Sequence, residues 1–418
     1  MRRRTFVRNV GGGSVVGLAG AGCLEREDEA PNGEEEVPPE EDDGTLRIAT
    51  YSSMIDGENP AGEWLSEGFQ EEFPDVEIDW VVPEAGIDHF IQRARLETEI
   101  GADVYLGLTI SELIRVDDIL ERRLFETLER DRLERDGRVR DDLEFDDPLD
   151  RAIPFDSGYL SLVYDETVLT EPASFEDLTS AEYEDSLLVQ DPRHSDPGRA
   201  FLLWTVAEYG ESFDEYWRAL RRNGVQMHEY WSTSYRENYL EGARPMIVSY
   251  STDRVGANAA DRDLDGHRIA TPDDRGYEIR EGGAIFESTD KTALAYEFLD
   301  FVLSSDAQAE LAVRNAQYPA IEPDYLDLGS EFTAYARRPP ETIRFSYDEL
   351  RDGLNEWLAV WVDEWSDELD EDDPAADLEM NETVSDPPEA NETASDSIDP
   401  NETMADSTDD DGGTESGG

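Results

Sequence analysis

Along the chain, short apolar blocks alternate with longer stretches whose apolar positions recur at helical spacing. Residues 46–51 (LRIATY) read as a strand that ends in turn residues, 76–82 alternates like a second strand, and 103–107 makes a third. Between them, 63–73 places Trp64, Leu65, Phe69 and Phe73 on one helical face, and 89–97 predicts another helix. The alternation continues with strands over 187–190, 225–228 and 245–250 and helices over 197–209 and 234–242. Helices over 291–303, 306–314 and 346–365 close the pattern; in the last, Trp357, Trp361 and Trp365 lie four apart on one face. Strands and helices in this order predict an α/β fold with parallel layers.

In open α/β sheets a ligand sits beyond the carboxyl ends of the strands. Tyr51 and Tyr250 occupy such ends, and Trp231 lies just past the 225–228 strand. As a set they predict a cleft lined by rings, although each alone would serve equally as core. The segment Asp191-Pro192-Arg193-His194-Ser195-Asp196-Pro197-Gly198 lies between a strand and an apolar helix. Ser195 or Asp196 can cap that helix, and Pro197 suits its first turn. A helix start with free N–H groups also favours an anion. Ser195 is therefore both a candidate hydroxyl or phosphate contact and a candidate cap, and Asp196 opposes an anion there.

Charge changes the picture of the partners. The chain carries 103 acidic and 35 basic residues, for a net charge of -68, and Lys291 is its single lysine. Such a surface repels phosphate backbones and anionic lipid headgroups, which excludes nucleic acid as a partner. Residues 24–44 hold 11 acids and one arginine, and 366–418 hold 20 acids and no base. These two stretches read as a disordered acidic tether and tail. Between them, 45–365 keeps 72 acids against 30 bases but also every Trp and Tyr, so it can bury a core. An acidic body of this kind predicts adaptation to strong salt, which screens its self-repulsion.

The N-terminus carries Arg3-Arg4-Thr5-Phe6-Val7, then a short apolar stretch, then Gly20-Ala21-Gly22-Cys23. The paired arginines resemble a twin-arginine export signature. The apolar stretch is shorter than the roughly 20 residues a membrane span needs. Cys23, the only cysteine, stands where a lipobox places its lipidated residue, which predicts export and anchoring on the outer face of the membrane. The tail repeats Asn-Glu-Thr at Asn381, Asn391 and Asn401, three glycosylation sequons that an extracellular tail would expose.

Catalytic signatures are thin. No two of the histidines His89, His194, His228 and His267 share metal-ligand spacing, so no metal site is expected. No nucleophile elbow, P-loop or strand-flanked dinucleotide motif occurs, and no catalytic residue or cofactor is expected.

Over 45–365 the chain resembles the thiamine-binding solute receptors of bacterial ABC importers. The resemblance runs in order through Thr50-Tyr51, residues 102–108 (ADVYLGL), 154–159 (PFDSGY) and Val163-Tyr164-Asp165. It continues through Gln190-Asp191-Pro192-Arg193, Ser195, Pro197-Gly198, Leu202-Leu203-Trp204, Trp231-Ser232, Val248-Ser249-Tyr250, Tyr318-Pro319, Trp357 and Glu364-Trp365. It implies an α/β, two-lobed periplasmic-binding-protein type II-like fold with a ligand cleft at the hinge. Lobe 1 would comprise about 45–152 and 253–305, and lobe 2 about 153–252 and 306–365. The resemblance further implies a monomer that binds thiamine, thiamine monophosphate or thiamine diphosphate and delivers it to permease and ATPase subunits. Tyr51, Trp231 and Tyr250 would supply rings, Ser195 the hydroxyl or phosphate contact, and Gly86 a loop contact. Where the family has an acid before that glycine and a tyrosine past the Val-Ser-Tyr strand, this chain has Ala85 and Gly256. A ferric-ion or polyamine receptor of the same fold is the alternative, ahead of an extracellular hydrolase or a structural surface protein.

Overall fold

The computed structural model describes residues 44–57 and 59–365. The export signal with Cys23, the tether before Gly44, and the tail with Asn381, Asn391 and Asn401 lie outside the described residues.

Eleven strands form one curled sheet: β1 (Thr45–Ala49), β2 (Glu77–Val81), β3 (Val104–Thr109), β4 (Ala152–Tyr164), β5 (Leu187–Gln190), β6 (Gln226–His228), β7 (Met246–Tyr250), β8 (Arg268–Ala270), β9 (Arg275–Ile285), β10 (Tyr318–Pro319) and β11 (Glu341–Ile343). The main order is β2-β1-β3-β9-β4-β7-β5-β6. Each flank, β2-β1-β3 and β7-β5-β6, is parallel, as the alternating pattern predicts. The centre differs from that expectation. β9 runs antiparallel to both β3 and β4, and β4 runs antiparallel to β7.

Register shows what this arrangement builds. Thr109, the last residue of β3, lies opposite Glu281, and Tyr250, the last of β7, lies opposite Leu160. Both flanks thus aim their carboxyl ends at the middle of β4 and β9, which pass from one lobe to the other. The ligand edge of each α/β half therefore faces the same cleft over Asp156–Leu160.

The helices are α1 (Ser52–Ile55), α2 (Ala61–Glu72), α3 (Ile87–Arg95), α4 (Ile110–Ile119), α5 (Asp196–Tyr209), α6 (Phe213–Arg222), α7 (Asp253–Ala259), α8 (Thr292–Val302), α9 (Ser305–Arg314), α10 (Ser330–Tyr335) and α11 (Tyr347–Trp365). One core face packs Leu46, Ile48 and Leu106 against Leu65, Phe69, Phe298 and Leu311 from α2, α8 and α9. The other runs from α3 and α4 through to Phe201, Trp204 and Trp217 in the second lobe. Trp361 and Trp365 of α11 stack at 5.7 Å and meet Trp217 edge-on, so that stripe is core.

Two expectations change. The lobe bounds that the resemblance implies put 253–274 in the first lobe. The chain instead ends β7 at Tyr250, pairs β8 with Leu162–Tyr164 of β4, and returns through β9. α9 also packs with α2 and α8, which moves 306–314 to the first lobe. The helix expected over 234–242 is a π-helix over Thr233–Tyr239, its turn widened by Leu240 donating to the Tyr235 carbonyl five residues back.

Candidate functional site

The cleft is best built from its floor. Asp156 of β4 and Glu281 of β9 are direct cross-strand partners, both buried. Like charges opposite each other destabilise a sheet, and burial adds a desolvation cost for each ionised group. Neither carboxyl pairs with an arginine or lysine among the described residues, and one buried oxygen of Asp156 has no hydrogen-bond partner. Burial, then their mutual field, pushes Glu281 well up, and burial does the same to Asp156. The Tyr51 hydroxyl donates to Glu281 at 2.8 Å. Asn315 Nδ2 donates to the Tyr51 hydroxyl at 2.7 Å and to Asp156 at 3.2 Å.

A second acidic pair stands beside the first. Glu112 caps α4: its carboxylate accepts from Thr109 N at 2.8 Å while Thr109 Oγ1 accepts from Glu112 N. Burial and the nearby Asp196 push Glu112 up to about 8. Asp196, first residue of α5, is raised as well, chiefly by burial, though Arg199 offsets this at 2.9 Å. Its side chain still keeps 32% of its surface, so it faces the opening.

Rings close the walls. Trp231 stacks on Tyr235 at 4.7 Å with 13° between planes and meets Tyr250 edge-on at 6.5 Å. Trp231 Nε1 donates to Ser249 Oγ at 3.1 Å, which fixes the indole to β7. The Tyr235 hydroxyl is held by Asp253, whose other oxygen contacts His267 Nδ1 at 2.6 Å. The Tyr250 ring lies over Gly158, where a Cβ would meet it at 2.8 Å, so only glycine admits that ring. Tyr51 lies likewise over Gly107, at 2.6 Å. After burial, the fields of Glu281 and Asp156 raise both Tyr51 and Tyr250, which places the two rings by the same acidic pair.

Of the five residues singled out from the sequence, Tyr51, Trp231 and Tyr250 therefore meet around the floor. Ser195 joins them through its neighbour Asp196, whose field reaches Glu281 and Tyr250. Ser195 holds the N-cap position of α5 but makes no capping bond with its side chain; its buried Oγ has no partner. The side-chain cap expected of Ser195 is thus not made. Gly86 shares the carboxyl edge of the β2 flank, where it opens α3 with φ 51, a conformation that favours glycine. A Cβ there would meet nothing within 4 Å, so the requirement is one of backbone shape. Buried Thr50 Oγ1, Ser157 Oγ and Gln190 Oε1 also lack partners. Among the described residues, no group of three His, Cys, Asp or Glu is placed to hold a metal ion.

Residues 115–338 match the family model described as bacterial extracellular solute-binding protein. The chain belongs to this family. As a solute-binding protein it is a receptor and not an enzyme. The thiamine-binding periplasmic protein of Brucella suis is 27% identical over 323 residues, spanning 75% of this chain and 91% of the relative. That of Escherichia coli is 26% identical over 318 residues, with the same coverage. Among solved structures, a periplasmic thiamin binding protein superposes with a TM-score of 0.66 at 25% identity, covering 77% of this chain and 96% of the other. The ferric binding protein from Campylobacter jejuni gives 0.61 at 16% identity over 76% and 99%, which bears on the fold alone. No helix of the described residues is long and apolar enough to cross a membrane.

The solute-binding cleft contains residues that the sequence reading missed. Glu281, Glu112, Asn315 and Tyr235 were not singled out, and Asp156 was noted only as part of a matching segment. No local signal marks them: Glu281 sits beside Arg280 and Glu278, and Asp156 lies among Pro154, Ser157 and Gly158.

Proposed function

We propose that this solute-binding protein captures thiamine outside the cell and delivers it to the permease of an ABC importer. One observation carries the reading: a buried, base-free carboxyl pair lies under a set of aromatic rings. Thiamine brings a permanent positive charge on its thiazolium and a flat pyrimidine. The charge offsets Asp156 and Glu281, and the rings of Trp231, Tyr51 and Tyr250 cover the flat faces. A ring over a desolvated cation contributes about 0.5–2 kcal/mol. The curated relatives named thiamine-binding support the same ligand. Ser195 Oγ and the first amides of α5 suit the hydroxyethyl end. Asp196 stands beside that end and opposes a phosphate, so free thiamine is preferred over its mono- and diphosphate.

Export by the twin-arginine signal and lipidation of Cys23 are part of this proposal, as is a tail open to glycosylation at Asn381, Asn391 and Asn401. The charge of the body is read as adaptation to strong salt.

Calorimetric titration of the whole protein in molar salt tests the ligand. Saturable heat with thiamine, with tryptophan quenching, and weaker heat with the two phosphates is expected. Absence of heat with all three rejects the assignment. A new absorption band on adding ferric ion, or heat with spermidine alone, moves it to the iron or polyamine reading.

A further inference from the structure

Away from the cleft, at the far end of β4, a cavity of about 410 Å³ is lined by Tyr164, Glu166, Arg254, Arg268, Arg337 and Arg338, with Glu171 at its side. Four arginines against two glutamates gather there, in a body where acids outnumber bases more than twofold. They come from separate places: Arg254 from α7, Arg268 from β8, and Arg337 and Arg338 from the segment after α10.

The local acids do not use up this charge. Arg268 pairs with Glu166 and reaches Asp265 at 3.6 Å, yet its buried Nε has no partner. Arg254 spends one terminal nitrogen on the carbonyls of Leu264 and His267, at 3.0 and 3.2 Å, and its buried Nε is also unpartnered. Arg337 donates to the carbonyls of Ala334 and Ala336, so its contacts neutralise nothing. Arg338 lies over the Tyr159 ring at 5.1 Å. Like charges held together in a partly dry pocket repel, and here burial followed by Arg268 and Arg337 lowers Arg254. A fixed fork of N–H donors is the group that recognises tetrahedral and planar oxyanions.

We propose that this pocket is a second binding site, for a small oxyanion of the phosphate or sulfate class. The anion takes the terminal N–H groups of Arg254 and Arg268 that the carbonyls and Glu166 leave over, and the outward faces of Arg337 and Arg338. It ties β8 and α7 to the segment after α10, independently of the cleft.

The test uses the whole protein at constant ionic strength, with chloride replaced stepwise by phosphate or by sulfate. Both anions also stabilise proteins by exclusion from their surfaces, so variants isolate the site. The parent should show a saturable rise in melting temperature and saturable heat. Arg254→Gln with Arg337→Gln should weaken that binding about tenfold or more and leave only a linear rise. Arg351→Gln, on exposed α11, should leave it intact. If the double variant does not fold, Arg338→Gln, at the exposed rim, should still weaken the anion several-fold. Thiamine heat in the cleft should be the same in parent and variants. A linear response in the parent, or an equal saturable response in every variant, overturns the proposal.

Discussion

Two groups of acids in this molecule are handled in opposite ways. Asp147 and Asp117 surround Arg151, whose side chain is 1% exposed. Arg151 Nε donates to Asp147 at 2.9 Å and a terminal nitrogen to Asp117 at 2.8 Å, while the Tyr347 hydroxyl donates to Asp117. Arg151 holds Asp147 below the usual carboxylate range against the opposing effect of burial. That group is complete and joins the start of β4 to α4 and α11. Asp156 and Glu281, a few residues along the same strand pair, have no base and are pushed up. The contrast separates charge that holds the fold from charge that waits for a partner. Where a protein buries acids and supplies the counter-charge itself, the site is structural; where it withholds the counter-charge, a cation is the missing part.

Three substitutions and a pH series test this division, beginning with the largest effect. Arg151→Ala should destabilise the protein by about 3–5 kcal/mol, because the buried Asp147 carboxylate loses its partner and Asp117 loses its anchor. Chemical denaturation in molar salt measures it, and a loss below about 1 kcal/mol would mean that this group holds nothing. Glu281→Gln should do the reverse: the empty protein should melt higher, while thiamine affinity falls about tenfold to a hundredfold. If affinity is unchanged, the acidic pair is not the counter-charge.

The raised carboxyls of the cleft, Glu112 among them, set a pH dependence with a definite sign. A carboxyl raised in the fold binds its proton more tightly than the unfolded chain does. Stability is then fully present below the ordinary carboxylate range and is lost as pH rises through the raised values. With Glu112 at about 8, the empty protein should lose stability across pH 5 to 8. A cation favours the ionised pair, so saturation with thiamine should flatten that decline, and binding near neutral pH should release protons. Calorimetry in buffers of different ionisation heats reads the release; none detected would detach the pair from binding. Smallest, Trp231→Ala should weaken thiamine by about 1–3 kcal/mol, as for a buried ring anchor. A lower melting point with full affinity would make Trp231 core alone.

The parallel flanks were legible because their apolar positions keep strict period within short blocks, as in 46–51 and 103–107. The two crossing strands were not. Pro154, Asp156, Ser157 and Gly158 in β4, and Glu278, Arg280, Glu281, Gly282 and Gly283 in β9, read locally as turn and loop chemistry. Some of those residues shape the cleft, as Gly158 admits the Tyr250 ring, and others fit the strands to their surroundings, as Gly283 does against Leu299. Rings at strand ends could be found because Trp and Tyr are few. Asp156 and Glu281 could not be picked out among 103 acids, since only burial distinguishes them, and burial depends on a pairing between residues far apart in the chain.

The π-helix at Thr233–Tyr239 makes the cleft sensitive to the length of its chain. Such a turn holds one residue more than an α-helical turn. Deleting a single residue there would let the coil tighten to α-helix and rotate one side of the join by about 100° relative to the other. In this coil Trp231 stacks on Tyr235 while Tyr235 also reaches Asp253. Removing one residue between the two rings should therefore pull Tyr235 away from Asp253 while every aromatic stays in the chain. In this segment, counting is a determinant of recognition as much as chemistry.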